Sequence, residues 1–181
     1  MKTGDPSTPP FILSLPPPNC LADPPIFMAE KENGGLRTGP PVVLCIGPEG
    51  WMKARYIRQL KARCITPGFE EMDLVVFSEP PDEGRQILEV ALTAPFGSSC
   101  RLVVVDGLET IDEKTLPWLP GYLKSPHPKT CLVLCGQRLE REMEARFLHK
   151  KDHAIQILWC RSLKGAQLKD WIVAQAQHLG K

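Results

Sequence analysis

The sequence predicts an α/β domain, a five-stranded parallel sheet with helices on both faces, giving three layers. Three observations predict it. An uninterrupted apolar run, Leu102-Val103-Val104-Val105, follows the turn-like Phe96-Gly97-Ser98-Ser99. Such a run reads as a strand buried on both faces, as in a parallel sheet covered by helices. Short apolar runs and stretches of helical spacing alternate five times along the chain, the pattern of strand–helix–strand crossovers. The chain has 181 residues, 43% hydrophobic and 24% charged, which is enough for one sizeable core plus an appendage.

Residues 1–40 hold a disproportionate share of the 19 prolines, including Pro9-Pro10, Pro16-Pro17-Pro18, Pro24-Pro25 and Pro40-Pro41. Proline fixes φ and lacks an amide donor, so this extension is expected to be disordered, outside any sheet interior or long helix, with local polyproline II character. Phe11, Ile12, Leu15, Ile26 and Phe27 give part of it an adhesive character. The folded domain is expected over 41–181.

Val42 to Ile46 is the first strand, closed by Gly47-Pro48-Glu49-Gly50. Trp51 to Cys64 has helical spacing, with Tyr56, Ile57 and Leu60 on one side. Lys53, Arg55, Arg58, Lys61 and Arg63 fall mostly on the other, and Thr66-Pro67-Gly68 stops the helix. Leu74 to Phe77 is the second strand, and Glu83 to Leu92 a helix with Ile87, Leu88, Ala91 and Leu92 on its apolar side. Pro95-Phe96-Gly97 leads into the central strand, with Asp106 expected at its carboxyl end, where open α/β sheets place functional groups. Glu113 to Lys124 is a short or broken helix, interrupted by Pro117 and Pro120. Thr130 to Cys135 and Ile155 to Trp159 are the last strands, and Leu139 to Lys150 is the helix between them. Leu163 to Leu179 is the final helix, with Leu168, Trp171, Ile172 and Ala176 at core-facing spacing. No internal repeat is visible.

A formal net charge of +1 does not drive the chain onto nucleic acid or an anionic membrane. No run approaches the roughly 18 apolar residues that span a bilayer. The prolines around Phe11-Ile12-Leu13 argue against a signal peptide. Seven cysteines without a framework spacing read as buried thiols of a reducing compartment. Cys131 and Cys135 share a strand and lack the knuckle spacing and second ligand pair of a zinc site.

The turn after the first strand is where a nucleotide-binding protein cradles phosphate with G-x-x-x-x-G-K-[ST]. Here the run is Gly47-Pro48-Glu49-Gly50-Trp51-Met52-Lys53-Ala54. The glycine spacing differs, no hydroxyl follows Lys53, Glu49 brings negative charge and Pro48 removes an amide. Val103-Val104-Val105-Asp106 has the outline of a Walker B strand, but Gly107 stands where an ATPase carries its acidic residue. Asp106 therefore reads as a turn or capping residue. His149 and His153 sit in a basic cluster, and nothing in sequence activates Cys135. Glu70, Glu71, Glu140, Glu142 and Glu144 read as surface charge. No catalytic constellation emerges.

The order of segments resembles the amino-terminal domain of the delta subunit of the bacterial DNA polymerase III clamp loader. The resemblance rests on Ile46-Gly47-Pro48-Glu49, Leu92-Thr93-Ala94-Pro95-Phe96, Arg101 to Val105 and Cys131 to Leu134. It closes with Leu163-Lys164-Gly165-Ala166-Gln167-Leu168-Lys169-Asp170-Trp171-Ile172. It implies an AAA+-like domain of the P-loop NTPase fold whose nucleotide site is degenerate at Gly47, Glu49, Gly50 and Lys53 and at Asp106. It implies no intrinsic activity, cofactor or metal, within the larger polymerase III holoenzyme. The implied work is DNA replication in the bacterial cytoplasm: binding the ring-shaped sliding clamp (the beta subunit) and helping to open it. The other partners implied are the remaining loader subunits, and DNA through the assembled loader. The clamp-binding residues implied are Pro95 and Phe96, supported by Leu92. In the family a helical lid and an oligomerisation domain follow this domain, and the Pro-rich extension is not part of the pattern. Two rival readings are an ATP-binding AAA+ ATPase and a general interaction module that acts through the Pro-rich segment.

Overall fold

The computed structural model describes residues 40–81, 84–149 and 155–178. The Pro-rich stretch, with Cys20 and its apolar residues, lies outside the described residues up to residue 39. Five strands form one sheet: β1 (Val42–Ile46), β2 (Leu74–Phe77), β3 (Arg101–Ile111), β4 (Thr130–Leu139) and β5 (Ile155–Trp159). Their order is β2-β3-β4-β1-β5, and every neighbouring pair is parallel. The helices are α1 (Gly50–Cys64), α2 (Glu70–Asp73), α3 (Arg85–Ala91), α4 (Leu119–Tyr122), α5 (Arg141–His149) and α6 (Ala166–His178).

The chain runs from β1 to the far edge strand β2, then returns through β3 and β4 and passes β1 to reach β5. Crossovers between parallel strands are right-handed, so this reversal puts α1 on one face and α3, α4 and α5 on the other. Packing agrees. Val42, Leu44, Ile46, Val103, Val105, Leu132 and Leu134 form a cluster with Ile87 and Ala91 of α3, Leu119 of α4, and Met143 and Phe147 of α5. The alternate side chains point the other way, where Tyr56 of α1 lies beside Cys45, Cys64 and Cys131. The hydroxyl of Tyr56 donates to Gln156 of β5 at 3.1 Å. The six described cysteines are all buried.

Strands β3 and β4 outrun their expected bounds, and α2 was not expected. β3 does not end at Asp106. Its register on β4 shifts between Val105 (opposite Leu134) and Leu108 (opposite Gly136), a β-bulge, and the strand runs on to Ile111. Gly107 makes the bulge with φ +77, and a Cβ there would stand 3.0 Å from the Ser78 carbonyl oxygen. Asp106 thus lies mid-strand. The extended β3 pairs with β4 through Leu108, Thr110 and Ile111, so β4 reaches Leu139 instead of Cys135. Between β3 and β4 the helix is short, as Pro117 and Pro120 led us to expect: α4 covers Leu119–Tyr122, and Leu116, Leu119 and Leu123 are buried as their spacing suggested.

The described residues fall into two units, 40–162 and 163–178. The first contains the sheet and α1 to α5. The described element of the second is α6, where Leu168 and Ile172, expected to face a core, are 41% and 52% exposed. Helical spacing identifies residues that share a side but does not say what covers it. No helix among the described residues is long and apolar enough to cross a membrane.

Candidate functional site

The link between α3 and β3 presents an aromatic side chain to solvent. Leu92 closes α3, its amide bonded to the Leu88 carbonyl at 2.9 Å, and its side chain is half exposed. Pro95 is partly buried, and Phe96 is 73% exposed. Single exposed apolar side chains are ordinary, but Phe96 is the most exposed large apolar side chain among the described residues.

The backbone under Phe96 is tightly held. Asp73, at the end of α2 and fully buried, accepts hydrogen bonds from the amides of Phe96 (2.5 Å), Gly97 (2.9 Å) and Ser98 (2.7 Å). The Arg101 guanidinium lies 3.8 Å from the same carboxylate and donates to the Ala94 carbonyl at 3.1 Å. Burial alone raises a carboxyl pKa, but here the amide bonds prevail and hold Asp73 down at about 2. Ser98 Oγ accepts from the Thr66 amide, and Ser99 Oγ donates to the Cys64 carbonyl, tying the link to the end of α1. Phe69 lies beside Phe96 with ring centroids 6.1 Å apart. A Cβ on Gly97 would come within 2.2 Å of the Phe69 ring, so glycine alone permits this approach.

Asp73 and Phe69 had no role in the sequence reading, and Gly97 and Arg101 figured there only as parts of the turn and the strand. A signal for Asp73 exists: the turn 96–98 exposes successive amides with no acceptor of its own, and such amides require a partner from elsewhere. The partner is 23 residues away, beyond the reach of local pattern reading.

The loop after β1 is filled by its own chain. The Gly47 amide donates to the Gly136 carbonyl at 3.0 Å, and the Glu49 amide to the Cys160 carbonyl at 3.1 Å. Gly47 has φ +134, and a Cβ there would fall 2.1 Å from that Cys160 oxygen. Gly50 opens α1 and is exposed. Lys53, expected mostly on the polar side, is buried and donates through Nζ to the Gly136 carbonyl at 3.1 Å. Beside it the Cys160 thiol is held below the ordinary thiol range, chiefly because Cys45 donates to it, with Lys53 adding attraction. Two of the loop amides and the Lys53 ammonium, groups of the kind that cradle phosphate in a P-loop, are here bonded to protein carbonyls.

Asp106 is exposed in the bulge, and its carboxylate accepts from the Gly107 amide at 2.9 Å. Among the described residues Lys53 bonds to Gly136 and Asp106 to the Gly107 amide, with no hydrogen bond or ion pair between the two. Among the described residues no group of His, Cys, Asp and Glu is arranged to hold a metal ion.

A family model, DNA polymerase III, delta subunit, matches residues 44–158. The chain belongs to this family. Among solved structures, the Bacillus subtilis DNA clamp loader delta protein (YqeN) superposes with a TM-score of 0.59 at 22% identity. The match covers 78% of this chain and 44% of that one, a likeness in fold. A Thermotoga maritima DNA polymerase III gamma subunit-related protein gives a TM-score of 0.47 at 12% identity, over 71% of this chain and 43% of that one. The chain thus spans less than half the length of either structure. No curated protein sequence matches it. The delta match begins inside β1 and ends inside β5, so it takes in both the Phe96 link and the filled loop.

Proposed function

We propose that this delta-family chain binds the sliding clamp of a bacterial DNA polymerase through Phe96, with Pro95 and Leu92 beside it, and helps to open the ring. In this reading it is a non-catalytic part of a clamp loader, working in the cytoplasm with the other loader subunits and meeting DNA through the assembled loader. The observation that carries the reading is an exposed Phe96 on a backbone fixed by Asp73 and Arg101. Burying such a side chain in an apolar pocket is worth about 1.5–3 kcal/mol. Aromatic anchors of this kind dominate interface energies. Ring opening then requires only that the chain bind a distorted or open clamp more tightly than a closed one.

The engaged amides of Gly47 and Glu49 and the committed Lys53 favour this over the ATPase reading. The test is a titration of the chain with the sliding clamp of its own organism, beside thermal unfolding with and without magnesium ATP. A stoichiometric complex and no nucleotide-dependent shift are expected. A well-folded chain that does not bind the clamp overturns the reading, and a clear ATP-dependent stabilisation restores the rival.

A further inference from the structure

We infer that Asp73 is a positioning residue for docking: its buried carboxylate, gathering the amides of Phe96, Gly97 and Ser98, presents the Phe96 side chain in the orientation in which a partner receives it. The inference rests on the clamp-binding reading above and assigns a residue to that site beyond Leu92, Pro95 and Phe96. A fully buried carboxylate is expensive unless its oxygens are satisfied. Asp73 is satisfied almost wholly by the link, through three amides between 2.5 and 2.9 Å, with Arg101 at 3.8 Å. The buried charge therefore orders a segment whose central side chain is 73% exposed and whose own packing is the tilted contact with Phe69. Arg101 completes the clasp from the other flank by bonding the Ala94 carbonyl, so the backbone is held on both sides of Phe96. Fixing the backbone before contact lowers the ordering cost of association, which appears as tighter binding without any new contact.

The distinguishing property of a positioning residue is that it acts through Phe96. Asp73→Asn keeps the shape of the side chain and removes the charge that the three amides share. In the full chain, clamp affinity is expected to fall about tenfold in Asp73→Asn and less than about twofold further when the change is made on Phe96→Ala, the signature of coupled residues. Hydrogen exchange supplies a readout independent of the clamp. The amides of residues 96–98 lose protection in Asp73→Asn, while those of Leu102 to Val105 in β3 keep theirs. An equal loss of affinity in both backgrounds makes Asp73 merely structural and overturns the inference, as does unchanged binding with unchanged exchange at 96–98.

If Asp73→Asn also strips protection from β3, Arg101→Lys replaces it in the same cycle. That variant leaves the three amide bonds in place, so a smaller loss confined to the Phe96 background is expected, and an additive loss is the overturning result. A wild-type chain that does not bind the clamp overturns the proposed function and the docking role with it. The exchange at 96–98 then still decides whether Asp73 governs the link.

Discussion

Gly47 is the position where the filled loop is most sensitive to a single methyl group. In Gly47→Ala the new Cβ would lie 2.1 Å from the Cys160 carbonyl oxygen and 2.7 Å from its carbon, both backbone atoms that no rotamer change moves aside. The backbone also sits at φ +134, a conformation costing a non-glycine residue about 1–3 kcal/mol. Relief of the clash separates the loop from the end of β5. That motion breaks the Glu49 amide bond to Cys160 and weakens the bond from the Cys160 amide to Ile46, each worth about 1 kcal/mol net. The combined loss is about 3–5 kcal/mol by these principles. For a chain of this size each kcal/mol lowers Tm by about 2–4 °C, so a fall of about 6–20 °C is expected by circular dichroism. Gly121→Ala is the internal control, because nothing lies within 4 Å of its Cβ position. It leaves Tm unchanged or raises it slightly, since alanine is the better helix former. A Gly47→Ala chain melting within about 2 °C of wild type would refute the argument that the Cys160 carbonyl closes this loop.

Lys53→Met keeps the length of the side chain and removes one charge-assisted bond to Gly136, so a modest loss of about 1–2 kcal/mol in urea unfolding is expected. The melting temperature of that variant, like that of wild type, should not respond to magnesium ATP; a wild-type response abolished by the change contradicts the account. Asp73 has its carboxyl held at about 2 in the folded chain against an ordinary 3.8. Because the folded value is the lower one, its contribution is fully present above pH 3.8 and disappears as pH falls towards 2. Urea midpoints followed through that window should decline more steeply in wild type than in Asp73→Asn, and parallel curves would contradict the assignment.

Much of the fold was legible because buried parallel strands announce themselves as continuous apolar runs. Val42–Ile46, Leu74–Phe77 and Ile155–Trp159 begin and end where those runs do. β3 and β4 ran longer than read because the bulge at Asp106 and Gly107 is a backbone event that puts polar residues inside a strand. α2 was missed because four residues are too few to show a helical period. The exposed side of α6 shows the limit of periodicity from the other direction: spacing grouped Leu168 with Ile172 and was silent about cover.

The candidate site divides along a similar line. Phe96 was named from the family pattern, and the odd glycine spacing after β1 was visible as letters. The contacts that give those letters meaning are long-range: Asp73 to Phe96, Lys53 to Gly136, and Gly47 against Cys160. Each joins residues far apart in the chain, and in none does the local sequence identify the partner. Lys53 is the plainest example, since a lysine on a helix reads as solvated until the strand above it supplies a carbonyl.

In the proposed function Phe96 is the anchor by which this chain holds the clamp. The most direct test is the affinity of the full chain for its own organism's sliding clamp, wild type beside Phe96→Ala, with equal melting temperatures as the check on folding. Loss of a side chain worth about 1.5–3 kcal/mol in an apolar pocket predicts a fall of about 10- to 150-fold. Equal affinity in two well-folded chains contradicts the claim and moves the contact away from Phe96.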